Sequence, residues 1–353
     1  MGKRSVFPLD ECMGIDGLPF KMTLTVMLKC AFWAQNQGSY QAAENILSEH
    51  FGIRINDDTI RQATNLIGRI VFDALMADAE SDYAGMVSGT LSFPSGTRDG
   101  VFYIECDGAA LNTRHKDENG SSWRENKLGM VFRSDDIKRY SDKKGGTFSR
   151  IDRREYASYV GGVAEFRKLL YSTALGFGYG TLRHTVFLSD GAKWISNMVA
   201  EDYPDAIHIL DFFHLKENVF SFAKARFGAD SKLTAPWAEE ISALLLEGKS
   251  DEVLRRLDSG ETYPNTVKLH DYIVFHRDHI NYPYYKSMGF FIGSGAIESG
   301  NKVVLQKRLK QAGMRWETFS AQAMLTLKSM VESNRWPEVI ELVEDHFGMK
   351  TSL

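Results

Sequence analysis

The stretch from Thr185 to Lys216, TVFLSDGAKWISNMVAEDYPDAIHILDFFHLK, constrains this chain more than any other. Val186-Phe187-Leu188 is an apolar run of the kind that forms a short buried strand. Asp190 stands at its exit, and Gly191 relieves backbone crowding there. Residues 192–200 read as a helix. Pro204 interrupts, and residues 206–210 form a second strand-like run that ends in Asp211, with His214 three residues on. Strand, acid, helix, strand, acid is a β-α-β unit. Such a unit puts both carboxylates at one edge of a parallel sheet, where the active sites of open α/β sheets lie.

At 353 residues the chain is long enough for two or three domains. Its 43% apolar and 25% charged content is ordinary for a folded protein. Cys12, Cys30 and Cys106 are too scattered for a disulfide framework or paired zinc hairpins, which fits a reducing, cytoplasmic setting. There is no long uncharged apolar run to span a membrane, and the opening MGKRSVFPLDEC lacks the apolar centre of a signal peptide. A net charge of -4 argues against a generally basic nucleic-acid binder, though not against a local basic patch.

Residues 1–20, punctuated by Gly14, Gly17 and Pro19, read as an extended lead-in. Helices are expected over 21–34, over 40–50 behind a Ser39 cap and before Gly52, and over 57–77 behind an Asn56 cap. The last two suggest a helix-turn-helix-like unit; a plain helical hairpin is the competing reading, because the second helix offers only Arg61 and Arg69 as basic side chains. Residues 79–100, rich in Gly, Ser and Asp, read as a linker.

The run VFYIECDG at 101–108 repeats the strand-then-Asp-Gly layout of Leu188 to Gly191, and Leu128 to Phe132 reads as a second strand. The basic residues between Trp123 and Arg154, Lys143 and Lys144 among them, are diluted by acids, as in a solvated hairpin rim. Residues 155–174 read as a helix interrupted near Gly161-Gly162. After Lys216 the apolar positions recur at helical spacing to about Tyr285, which predicts a helical insertion. His270, His276 and His279 within it lack the partners of a zinc motif and read as surface or core histidines.

In GFFIGSGAIESGNKVVLQKRLKQAGMRW, at 289–316, a glycine loop leads into a helix with Glu298 in its first turns. Lys302, Lys307, Arg308, Lys310 and Arg315 follow with no acid among them, a basic patch suited to phosphates; a solvated helix face is the alternative. Residues 319–333 read as a last helix, and Trp336-Pro337 as the start of a tail.

Asp107, Asp190 and Glu298 thus share a context. Three converging carboxylates make an oxygen-ligand site for hard cations. Two Mg²⁺ or Mn²⁺ ions about 4 Å apart can activate a water or a 3′-hydroxyl and stabilise the departing oxygen of a phosphodiester. A non-catalytic α/β domain and another kind of hydrolase remain open, and no nucleophile-elbow or P-loop motif competes.

The segments YIECDGAAL, VFLSDGAKWI with DFFHLKENV, and GSGAIESGNKVVLQKRLKQAGMRW resemble the catalytic blocks of bacterial insertion-sequence transposases, the DDE type related to the Mutator superfamily. SVFPLDECMGID and GSYQAAENILSEHFGIRINDDTIRQAT resemble the segment that precedes them, so the likeness runs from about Ser5 to Trp336. The resemblance implies an α/β, ribonuclease-H-like core with an all-helical insertion, behind a helix-turn-helix-like N-terminal domain. It implies Asp107, Asp190 and Glu298 as ligands of two Mg²⁺ or Mn²⁺ ions. Asp211 and His214 match the family's D-x-x-H motif, and Gly191, Trp194, Gly313 and Trp316 match other motif positions. His214 is expected to orient a carboxylate or the scissile phosphate without itself binding metal.

The activity so implied is metal-dependent DNA cleavage and strand transfer at element ends; a repurposed DNA-binding remnant and a ribonuclease-H-like nuclease are the alternatives. Partners would be double-stranded DNA, as terminal inverted repeats and target, and further copies of the chain in a homodimer or larger assembly on the nucleoid. Family members often carry a longer N-terminal region, in some zinc-binding. This chain starts close to the helix-turn-helix-like segment and has no cysteine pairs, which reads as a shortened gene copy with its end recognition in question. The expected division is 1–78 helical, 79–100 linker, 101–217 first part of the core, 218–288 insertion, 289–340 end of the core and 341–353 tail.

Overall fold

The computed structural model describes residue 15 and residues 17–91, 98–141, 147–258 and 266–351. Cys12, Gly14 and the Lys143-Lys144 pair lie outside these. Three helices lead the chain: α1 (Leu24–Asn36), α2 (Tyr40–Phe51) and α3 (Asp57–Val87). α2 and α3 start behind the caps read from sequence, Ser39 and Asn56, and α1 starts behind Thr23; each of the three accepts a bond from a first-turn N–H. Gly52 closes α2 in the left-handed conformation.

The expected linker is a correction. α3 runs on to Val87, and strand β1 (Arg98–Asn112) begins before residue 100. Ala79, Tyr83 and Met86 recur at helical spacing and pack into the core on the far side of the sheet, so burial overrides the local abundance of Gly and Ser. At Gly68 α3 crosses the helix that carries Ala323 closely: a Cβ there would lie 2.5 Å from the Ala323 carbonyl oxygen. The leading helices therefore share the main core with the sheet.

The sheet comprises β1, β2 (Trp123–Arg133), β5 (Glu155–Val160), β6 (Leu182–Ser189) and β7 (Ile207–Leu210), in the order β5-β2-β1-β6-β7. β2 runs antiparallel to both its neighbours, while β1, β6 and β7 are parallel. A separate hairpin, β3 (Ile137–Ser141) with β4 (Thr147–Ile151), stands between β2 and β5. Residues 155–160 were expected to be helical. They are strand because the segment is covered on both faces: Tyr156 and Val160 enter the main core, Ala157 the far-side core. Helix α4 (Val163–Phe177) starts only after the glycine pair.

α4 and α5 (Lys193–Asp202) cover the far side of the sheet. The insertion is helical as expected: α6 (Phe212–Phe227), α7 (Thr234–Leu246), α8 (Ser250–Asp258), α9 (Thr266–Phe275) and α10 (Tyr282–Ser287). The chain then enters α11 (Gly295–Asn301), which continues through a wide π-type turn, Lys302–Gln306, to Leu309. α12 (Thr318–Glu332) crosses the main-core face, with Gln322 bonding the edge of β5. The expected tail is a further correction: α13 (Trp336–Phe347) follows, with Pro337 in its first turn and Val339 and Val343 buried.

Candidate functional site

β1 and β6 run parallel with Cys106 opposite Ser189. One residue further, Asp107 and Asp190 are lateral neighbours at the end of that pairing. Strand alternation puts Tyr103, Glu105 and Asp107 on the main-core face, and Leu188 and Asp190 on the same side. Asp107 is half-buried. Its burial, then the charge of Asp190, holds its carboxyl above the usual range, against the pull of the Gly108 N–H, the Asn301 amide and His214. Asp190 Oδ1 accepts from the Ala192 N–H at 2.8 Å.

The insertion closes over this exit. Tyr272 donates its hydroxyl to the Asp190 carbonyl at 3.0 Å, and Tyr282 donates to the Leu210 carbonyl at 3.0 Å. Gly191 has φ 85°, and a Cβ there would lie 2.6 Å from the Tyr272 hydroxyl and 2.8 Å from His276 Nε2. Both the left-handed backbone and the crowding demand glycine. Trp194 packs edge-on to Phe166 on the far side, with Lys127 Nζ 4.9 Å above its ring.

Asp211, His214 and Glu298 can each bring one donor atom within 4.8 Å of the others, a group that could hold a metal ion. Asp211 is committed elsewhere. Its Oδ1 caps α6, accepting from Phe213 N at 2.6 Å and His214 N at 3.2 Å. Its Oδ2 accepts from Ser294 N at 2.6 Å and also from the Ser294 hydroxyl. Those bonds occupy the roughly four lone-pair sites of a carboxylate. Asp211 therefore ties α6 to the start of α11, which leaves His214, half-buried, and Glu298, exposed, as the donors of that group with free capacity.

Two more carboxylates anchor α11 to β1. Glu105 Oε2 accepts from Ile297 N at 2.8 Å, and Asp107 Oδ2 accepts from Asn301 Nδ2 at 2.5 Å. Glu298 sits between these anchors, its side chain with no hydrogen bond or ion pair among the described residues. Glu105 escaped the reading of the sequence, although its place two residues before Asp107 on one strand face was the available signal. Burial pushes its carboxyl up to about 8; the Ile297 N–H opposes this, and Asp211 and Glu298 add to it. The site is thus a set of crowded, mutually repelling carboxylates, a donor set that an oxygen-seeking cation would relieve.

The basic patch divides. Lys302, Lys307, Lys310 and Arg315 are exposed. Arg308 departs from the exposed set: it is 2% exposed and turns inward, donating to the Ala34 carbonyl at 2.9 Å. The helix also ends at Leu309, so Arg315 lies beyond it, after the left-handed turn at Gly313. Trp316 is buried, forms a bridge to Thr113 and donates to the Leu309 carbonyl at 3.2 Å. In α3, Arg61 and Arg69 pair with Asp58 and Asp73 within the helix. His276 is a core histidine and His279 is half-buried, its ring tilted against that of His208 with centroids 4.2 Å apart.

No protein-family model matches the chain, and no curated protein matches it. Among the described residues no helix is long and apolar enough to cross a membrane.

Proposed function

We propose that this chain is a DDE-type transposase that cleaves DNA and transfers strands at the ends of an insertion element. The observation that carries the reading is the side-by-side placement of Asp107 and Asp190, with the helix of Glu298 fixed over the same sheet face. The strand order, with only β2 reversed, and the helical insertion between Asp211 and Glu298 support a ribonuclease-H-like core.

Asp107, Asp190 and Glu298 would hold two Mg²⁺ or Mn²⁺ ions, and His214 adjoins them. When bound, such ions supply neutralisation of phosphate charge and an acidified water or 3′-hydroxyl. The protein's own part is positional. Asp211, Glu105 and Asn301 fix Glu298 relative to the two aspartates, and Tyr272 and Gly191 fix the Asp190 turn. The exposed Lys302, Lys307 and Lys310 give duplex phosphates a sequence-independent hold. α2 and α3 would serve as the helix-turn-helix-like unit.

The test is strand cleavage and joining on DNA carrying the element's terminal repeats, with Mg²⁺ or Mn²⁺. Asp190→Asn should abolish both reactions with folding intact. Activity that persists in this variant would remove the assignment.

A further inference from the structure

A second place in the molecule is built for an anion. A cavity of about 440 Å³ opens between the start of α2 and the segment leading into α12. Tyr40, Arg61, Arg114, Arg308, Arg315 and Ser320 line it. Two acids also line it, Asp58 and Glu317, against the four arginines. Arg61 is matched by Asp58 at 2.6 Å, and Arg114 approaches Glu317 at 4.0 Å. Arg308 and Arg315 have no acidic partner among the described residues, so the lining keeps a positive surplus.

Arg308 is the decisive member. Its guanidinium carbon lies 4.7 Å from the Tyr40 ring centroid and 5.1 Å from that of Trp316. Its Nη2 is buried with no hydrogen-bond partner among the described residues, and so is the Tyr40 hydroxyl. A buried charge without a counter-ion is costly, and an unsatisfied buried donor adds to that. An anion in the cavity offsets both. Two helices start at its rim: α2 behind Ser39 and α12 behind Glu317. Their positive ends favour the same charge.

We propose that this cavity seats a single phosphate group, backed by Arg308 and closed by Arg114 and Arg315. On the reading above as a transposase, which this inference deepens, the seat takes one backbone phosphate of the DNA. Arg114 follows Asp107 by seven residues along β1 and its continuation. At strand rise that separates the seat from the carboxylates by on the order of 20 Å, far enough to fix the path of the strand.

Free phosphate and a backbone phosphate share this chemistry, and two measurements on the full chain separate them. The first is thermal unfolding with inorganic phosphate titrated against chloride at constant ionic strength. The second is binding of a labelled random-sequence duplex across a salt series. Arg114→Ala and Arg315→Ala change exposed side chains, so folding should be preserved. Phosphate should stabilise the wild type saturably, and each variant should weaken that binding about tenfold, the loss of a charge-assisted hydrogen bond. If the seat holds backbone, each variant should also weaken duplex binding and reduce the salt slope by about 1. Weaker phosphate binding with unchanged duplex binding would overturn the backbone assignment in favour of free phosphate. No saturable effect of phosphate on the wild type, or equal effects in wild type and variants, would overturn the seat. Asp190→Asn should leave phosphate binding intact. Saturable phosphate binding in a protein that never cleaves DNA would sink only the transposase reading.

Discussion

Asp211 and Ser294, 83 residues apart, are joined twice: Asp211 Oδ2 accepts from the Ser294 backbone N–H at 2.6 Å and from its hydroxyl. The same carboxylate caps α6. One side chain thus fixes the first turn that carries His214 and the turn that launches Glu298. It is 1% exposed, so neither end of the link exchanges freely with water.

Asp211→Ala should therefore act first on stability. It leaves the Ser294 N–H and the first N–H groups of α6 unsatisfied in a buried place. Loss of the cap costs about 1 kcal/mol and loss of the charge-assisted bonds about 1.5–3 kcal/mol. Urea unfolding should show a total of about 3 kcal/mol, with metal still binding in calorimetry. Abolished metal binding at nearly unchanged stability would instead make Asp211 a ligand.

Gly191→Ala should damage the site without touching a carboxylate. The residue has φ 85°, and the new methyl would meet the Tyr272 hydroxyl and Leu210 Cδ1, the latter at 2.7 Å. Left-handed strain and overpacking together should destabilise by about 2–4 kcal/mol. Gly191→Ala combined with Tyr272→Phe removes the nearest atom and should recover part of that loss. Thermal unfolding of the three proteins checks this, and no recovery would mean that backbone strain alone sets the effect.

The two strand-end aspartates were legible because an apolar run followed by Asp-Gly is a local pattern. Glu298 was legible because a glycine loop announced its helix. What the reading missed is long-range. Nothing near Asp211 points to Ser294, and a cap signal alone places it on α6. Residues 155–160 lack strict alternation because both faces are covered, a tertiary fact. Two misses were avoidable. Val304, Leu305, Arg308 and Leu309 fall on one helical stripe, so phasing the charges would have set Arg308 apart from the exposed lysines. Trp336-Pro337 has the form of a helix start, with proline in the first turn.

The histidines behind Asp190 predict a pH dependence of stability. Burial pushes His208 down to about 3 and His276 down to about 4, with neighbouring histidines adding to it, and it lowers His279 as well. Above pH 6.5 neither the folded nor the unfolded chain protonates them, so they contribute no slope. As pH falls below 6.5 the unfolded chain takes up protons that the fold refuses, and stability drops until the folded values are reached. Each fully shifted histidine contributes up to about 1.4 kcal/mol per pH unit in that window. His208→Asn compared with the wild type, by urea unfolding between pH 7 and 5, should flatten the slope by about that amount. Parallel slopes would mean that His208 protonates freely in the fold.

The last prediction isolates the Asp107–Asp190 pair. Asp107 is held above the usual carboxylate range first by burial and then by the charge of Asp190. Asp190→Asn keeps the burial and the shape but removes the charge. The Asp107 pKa should fall, though not to the ordinary value, because the desolvation is unchanged. A group whose folded pKa is raised loses stability as pH climbs from its unfolded value through its folded one, so the variant should be the more stable protein above that window. Asp→Asn at a site of like-charge repulsion is then stabilising while inactivating. Carboxyl-carbon NMR of metal-free wild type and variant reads the titration directly, and urea unfolding at pH 7 reads the stability. An Asp107 pKa that does not move would mean that the two carboxylates do not face one another, and the proposed metal centre would lose its two strand-borne ligands as a pair.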